Sequence, residues 1–169
     1  EENMLDIKGV TNTEGASAST SNTQITFLSS KNFFKSYNKT IHTISSIAIA
    51  GRDTNMQRDY DYSAAIYFED LKKPTKIGRK AGERATSRLN SKKIKSCVVD
   101  VIFEPRIAKS LLSSLASCIS GTSIARGTSF LLRKIDKKIC NEDITICNMP
   151  QLLRGIGSVP FDSRGIKSQ

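Results

Sequence analysis

Apolar and polar residues alternate through the first third of the chain. "TQITFLSS" (23–30) alternates, and "KNFFKSYNKTIHTISSIAIAG" (31–51) alternates again, with "SSKN" as the turn between them. "RDTNMQ" (52–57) makes a second polar turn. "RDYDYSAAIYF" (58–68) then places Tyr60 and Tyr62 on one face of a third strand. Together these stretches predict an antiparallel β-meander. The preceding "TNTEGASASTSNTQ" (11–24) is rich in Ser, Thr and Asn and reads as a mobile surface loop.

After residue 70 the period changes. Ile77, Ala81, Ala85 and Leu89 form a narrow i, i+4 apolar stripe; Pro74 suits a first helical turn and Asn90 a last one. "KIKSCVVDVIFEP" (93–105) is rich in β-branched residues and predicts a buried strand. A second helix follows Pro105. Ile107, Leu111, Leu115 and Cys118 line one side of it, and Ser110, Ser113, Ser114 and Ser117 the other. "SGTSIARGTS" (120–129) reads as a turn. The end, "PQLLRGIGSVPFDSRGIKSQ", is loop-like, with Gly155, Gly157, Pro160 and Gly165. The expected fold class is α+β: a meander, a basic helix, then the strand–helix start of a second β-rich domain. The expected division is 1–95 and 96–169.

Charge sharpens this picture. The 169 residues carry a net charge of +10 and are 38% hydrophobic, enough for one domain or parts of two. Residues 71–95 alone hold ten Lys or Arg against a single acid, Glu83, so the rest is nearly neutral. Lys72, Lys73, Lys76, Arg79, Lys80, Arg84 and Arg88 form a candidate basic patch that could neutralise phosphates. Base-reading or stacking groups are sparse there, with only Asn90 available, so a solvated helix face is the preferred reading. No apolar run approaches the roughly 20 residues of a membrane span. The acidic start has no signal-peptide core and no initiator Met, which fits an internal piece of a longer cytoplasmic polypeptide. Cys97, Cys118, Cys140 and Cys147 lack CxxC spacing and are expected to be reduced and mostly buried, with a Cys140–Cys147 disulfide as the alternative.

Motifs for catalysis fail one by one. A single histidine, His42, cannot supply a two-histidine metal site, and its alternating strand gives it a structural role. Asp53, Asn55 and Gln57 begin like a calcium loop but lack its glycine and late glutamate. Ser36 and Lys39 match S-x-x-K by count only. Asp59 and Asp61 form a close carboxylate pair beside Arg58, expected at a solvated hairpin end.

"MQRDYDYSAAIYFEDL", "IARGTSFLLRKIDKKI" and "PQLLRGIGSVPFDSRGIKSQ", with "GVTNTEGASAS" near the start, resemble the corresponding stretches of the TldD/PmbA family, and of its PmbA (TldE) branch in particular. The resemblance runs from about Asp6 to Gln169 and falls in the middle of much longer members. It implies an intracellular peptidase system. In that family a TldD subunit carries zinc on an HExxxH helix, pairs with PmbA as a heterodimer and cleaves peptides and unfolded segments; an older label is modulator of DNA gyrase. Anchored on "RGTS" (126–129), the family's metal motif falls on Leu112, Ser113 and Ser117, none suited to bind zinc. The resemblance therefore implies a non-catalytic subunit with no cofactor of its own, zinc only in a TldD-like partner, and peptide substrates. Candidate peptide or partner contacts are Arg58, Asp59, Tyr60, Tyr62, Arg126, Phe161, Asp162 and Gly165. Arg164 stands where family members commonly carry an acid, which hints at relaxed constraint. The alternatives are a DNA- or topoisomerase-binding modulator using residues 71–95, and a remnant of a broken gene.

Overall fold

The computed structural model describes residues 1–30, 32–162 and 164–167. It divides into two compact units, Glu1–Lys93 with Asn148–Gln169, and Ile94–Cys147.

The first unit is built on an antiparallel meander in the order β1-β2-β3, with β1 Val10–Ser29, β2 Phe33–Ala50 and β3 Gln57–Ala65. The meander is as expected, but β1 begins far earlier. The stretch expected to be a loop is paired residue by residue with β2, from Val10 opposite Ala50 to Ser29 opposite Phe33. Its hydroxyls explain how so polar a segment holds a ladder. Register shifts at Val10/Asn12 and Thr13/Gly15 disturb the pairing. There Thr11 Oγ1 donates to the Gly51 carbonyl (2.6 Å), and Thr13 Oγ1 donates to the Ile47 carbonyl (2.9 Å) while accepting from the Gly15 amide (2.8 Å).

Helix α2, Pro74–Ser87, lies across one end of the sheet. Proline occupies its first turn, and the chain enters the left-handed region at Asn90, just beyond its end. Ala81 and Ala85 pack on Ala48 and Ala50, with Val10 and Leu89 at the margin. These small side chains bring helix and sheet close together. On its other flank, Gly78 and Gly82 admit the short α1, Glu2–Leu5, which contributes the fully buried Met4. β3 pairs with β2 only from His42 to Ala50, so the β1–β2 hairpin runs well past β3.

The second unit holds α3, Pro105–Ile119, and the single-turn α4, Gly121–Ala125. Helix α3 begins at a proline as expected, and α4 occupies the segment read as a turn. The strand expected over 93–105 is absent: residues 91–104 have no regular structure, and Val98 and Ile102 are fully exposed. A strand exists only by pairing, and among the described residues none pairs with it. All four cysteines are free thiols, as expected, but they are not mostly buried: Cys97, Cys140 and Cys147 are exposed and Cys118 is half-buried.

Candidate functional site

Alternation along β3 sorts the candidate contacts onto two faces. Asp59, Asp61, Ser63 and Ala65 point toward α2 and are buried; Arg58, Tyr60 and Tyr62 point away and are exposed. Asp59 and Asp61 are therefore not at a solvated hairpin end, for their exposures are only 4% and 6%. The basic helix compensates them. Arg88 reaches Asp59 Oδ2 at 3.1 Å, and Arg84 bonds Asp61 Oδ1. Two cations of the candidate basic patch thus belong to the packing of helix on sheet.

The remaining patch residues lie outward. Arg79 and Lys80 both engage Glu83, at 3.1 and 3.5 Å, and the Arg79 hydrogen bond first of all holds the Glu83 carboxyl below its ordinary range. Lys72, Lys73 and Lys76 form no ion pair among the described residues. The solvated-face reading fits the outer residues and fails for Arg84; Arg88 is exposed and reaches in from the surface to Asp59.

On the opposite face, Arg58 pairs with Glu14 of β1 at 2.8 Å. The rings of Tyr60 and Tyr62 stack with centroids 6.2 Å apart, and these side chains remain 45% and 40% exposed. Phe161 lies elsewhere. It packs edge-on against Phe33 and Tyr37, with centroids 5.5 and 5.2 Å away. Tyr60 pairs with Ile47, ten residues beyond Tyr37 along β2, roughly 33 Å at ordinary strand rise. The two candidate contact segments are therefore separate places on one unit.

The loop after Phe161 is closed by Asp162, which accepts from the Ile166 amide (2.9 Å), the Arg164 amide (2.8 Å) and the Arg164 guanidinium (3.0 Å). The Ile166 amide foremost, with Arg164 behind it, holds the Asp162 carboxyl below its ordinary range. Arg164, read as a departure, is thus complementary to the aspartate two residues before it. Gly165 has φ +81°, and a Cβ there would lie 2.8 Å from the Phe33 ring.

In the second unit, Leu112, Ser113 and Ser117 are exposed on α3. Ser117 Oγ donates to the Ser113 carbonyl at 3.0 Å, as Ser110 Oγ does to Ile107 at 2.6 Å. Leucine offers no lone pair, a neutral serine hydroxyl is a poor zinc ligand, and that of Ser117 is turned to its own helix, so the three residues do not fit a metal ion. Among the described residues no group of three His, Cys, Asp or Glu could hold one either. Arg126 is exposed where α4 ends. Ser129, a buried residue the sequence reading missed, ties this turn to α3: its Oγ donates to the Cys118 carbonyl (2.6 Å) and accepts from the Leu131 amide (3.0 Å). A hollow beside β2, lined by Tyr37, Lys39, Phe68 and Lys167 among others, was also missed. Its residues are scattered over the sequence and share no motif. Ser36 and Lys39, even and odd along β2, fall on opposite faces.

Two family models cover nearly the whole chain: the PmbA/TldA metallopeptidase central domain matches residues 2–89, and the C-terminal domain matches 96–169. The chain belongs to the TldD/PmbA metallopeptidase family. It is similar to the metalloprotease PmbA of Escherichia coli O157:H7 (35% identity over 162 residues; 96% of this chain and 36% of that protein). A PmbA homolog of Buchnera aphidicola, strain APS, matches at the same identity and coverage. Among solved structures, a proposed modulator of DNA gyrase from Bacteroides thetaiotaomicron superposes with a TM-score of 0.85 at 28% identity (97% of this chain, 37% of that one). A protein of like description from Thermotoga maritima shares the fold, with a TM-score of 0.80 at 22% identity (99% and 39%). The chain spans about a third of the length of these relatives, consistent with an internal fragment. Among the described residues no helix is long and apolar enough to cross a membrane.

Proposed function

We propose that this chain is part of a PmbA-like, non-catalytic subunit that works with a zinc-bearing TldD-like subunit in the cytoplasm, in the proteolysis of peptides and unfolded segments. Residues 1–95 would be the middle-domain portion and 96–169 the beginning of the C-terminal domain. The observation that carries the reading is α3: where the family's metal motif is aligned, Leu112, Ser113 and Ser117 present a face without a metal donor or a general base. In a heterodimer such a half can hold substrate or brace the partner while the other half does the chemistry. The exposed Tyr60–Tyr62 pair, on the outer strand of the three described, is a surface suited to an extended segment.

The test is peptide hydrolysis by a TldD-type subunit, with and without this chain, with co-elution read from the same mixture. Stimulated hydrolysis with co-elution is expected, and neither one occurring would end the reading. Ser113→Asp with Ser117→Asp places two carboxylates on the serine face and is expected to weaken co-elution or peptide binding.

A second reading, a modulator of DNA gyrase that binds DNA or the topoisomerase, is favoured by the descriptions of the two solved structures. Lys72, Lys73 and Lys76 are its candidate contacts. It predicts nucleic-acid affinity that collapses between low and moderate salt.

A further inference from the structure

β2 has β1 on one side along its whole length, but β3 on the other only from His42 onward. From Phe33 to Ile41 that second edge carries no strand among the described residues. The chain leaves the sheet after Ala65 and turns through Phe68–Asp70, and the loop 150–167 returns to the same edge. Between them lies a hollow of about 910 Å³, open to solvent along β2.

Backbone on an unpaired edge is a template for another strand, because its outward N–H and C=O groups lack partners. Here the edge also has apolar walls. Tyr67 and Phe68 line one part of the hollow, Val159 and Pro160 another. Their positions are fixed by neighbours. Phe68 packs edge-on against His42 (5.7 Å), whose Nδ1 lies 3.0 Å from Thr20 Oγ1. The Arg154 guanidinium sits 4.5 Å over the Tyr67 ring and is anchored on Asp70 at 2.7 Å.

The charges at this hollow favour one kind of occupant. Lys39 and Lys167 line it and form no ion pair among the described residues. The one acid among its described lining residues, Glu69, already faces Arg154 at 3.7 Å. A strand laid along β2 would meet uncompensated positive charge beside an apolar pocket. We propose that this edge is a strand-addition site for an extended peptide that carries acidic side chains and sets an apolar one into the hollow. Such a site gives the peptide-holding role above a place and a ligand chemistry, and rests on that role. It differs from the Tyr60–Tyr62 surface and from the position of the family's metal helix.

The test is a fluorescence-anisotropy titration of the intact chain, at fixed salt, with four rhodamine-labelled peptides. One alternates Val and Glu about a central Leu, the second has Lys for Glu, and the third and fourth are the Glu peptide N-methylated at alternate amides, one in each frame. The Glu peptide is expected to bind about three- to tenfold more tightly than the Lys peptide, the range that one or two exposed ion pairs support. N-methylation is expected to abolish binding in the frame whose amides face β2, so at least one of the two methylated peptides should fail to bind. Lys39→Glu with Lys167→Glu should reverse the ranking, and Phe68→Ala should weaken both peptides, each with an unchanged circular dichroism spectrum. Binding of neither peptide, tolerance of N-methylation in both frames, or an unchanged ranking in the double variant would overturn the site. No TldD-type subunit is present, so the outcomes separate. Binding here without stimulation there keeps the groove and removes the subunit role; stimulation there without binding here does the reverse.

Discussion

The Arg84 side chain of α2 reaches down to the Asp61 carboxylate on β3, and one helical turn on Arg88 does the same for Asp59. The two carboxylates lie on the buried face of a strand, next to alanines. Removing one partner leaves the other charge buried. Asp61→Ala is expected to cost about 3 kcal/mol, read as a lower urea midpoint at unchanged slope. Arg79→Ala, on the solvated side of the same helix, should leave the midpoint unmoved.

Asp162 sets a pH dependence with a definite sign. Its folded-state pKa is lowered, first by the Ile166 amide and then by Arg164. The stabilisation it contributes is therefore present above the ordinary carboxylate pKa and lost as pH falls through the lowered one. In an NMR titration of the Asp162 carboxyl carbon, Arg164→Ala should raise the midpoint yet leave it below the ordinary value, because the Ile166 amide stays. A midpoint unaffected by the substitution would remove Arg164 from this account.

Gly165 combines a positive φ with an aromatic ring where a side chain would begin. Gly165→Ala should cost about 1–2 kcal/mol for the backbone alone, plus the displacement of Phe33. Loss of the Phe33–Phe161 ring contact in NOE spectra would accompany it. Gly157→Ala is the control: nothing lies within 4 Å of its added Cβ, and little change is expected.

If the chain binds DNA, Lys72, Lys73 and Lys76 should carry the salt dependence. Replacing all three by Ala should flatten the slope of log affinity against log salt by about 2–3, one phosphate contact being worth about 0.9. Arg88→Ala should lower stability and leave that slope alone, since Arg88 is turned to Asp59.

The meander, α2 and α3 were legible because their periods are local properties of the chain. The Ile77–Ala81–Ala85 stripe needs only helix geometry, and all three residues are buried. β1 was half missed because Thr11 to Asn22 holds its place by cross-strand hydroxyl bonds and by pairing with β2, neither of which alternation registers. The strand at 93–105 was wrongly expected for the opposite reason: β-branched residues favour a strand, but only a neighbour makes one. Asp59 and Asp61 looked solvated because their partners are more than twenty residues away, on another element. The hollow beside β2 left no mark in the sequence, being assembled from three separated stretches.

The far end of the β1–β2 hairpin owes its packing to a segment much later in the sequence: Phe33 and Tyr37 close on Phe161, and Phe27 packs on Phe33. A two-stranded ribbon with no such support is marginal in water. During synthesis, residues 1–93 can assemble sheet and α2 as soon as they emerge. The tip of the hairpin must wait for residue 161, so a ribosome stalled anywhere between would hold a nascent chain whose sheet is set at the root and fraying at the tip.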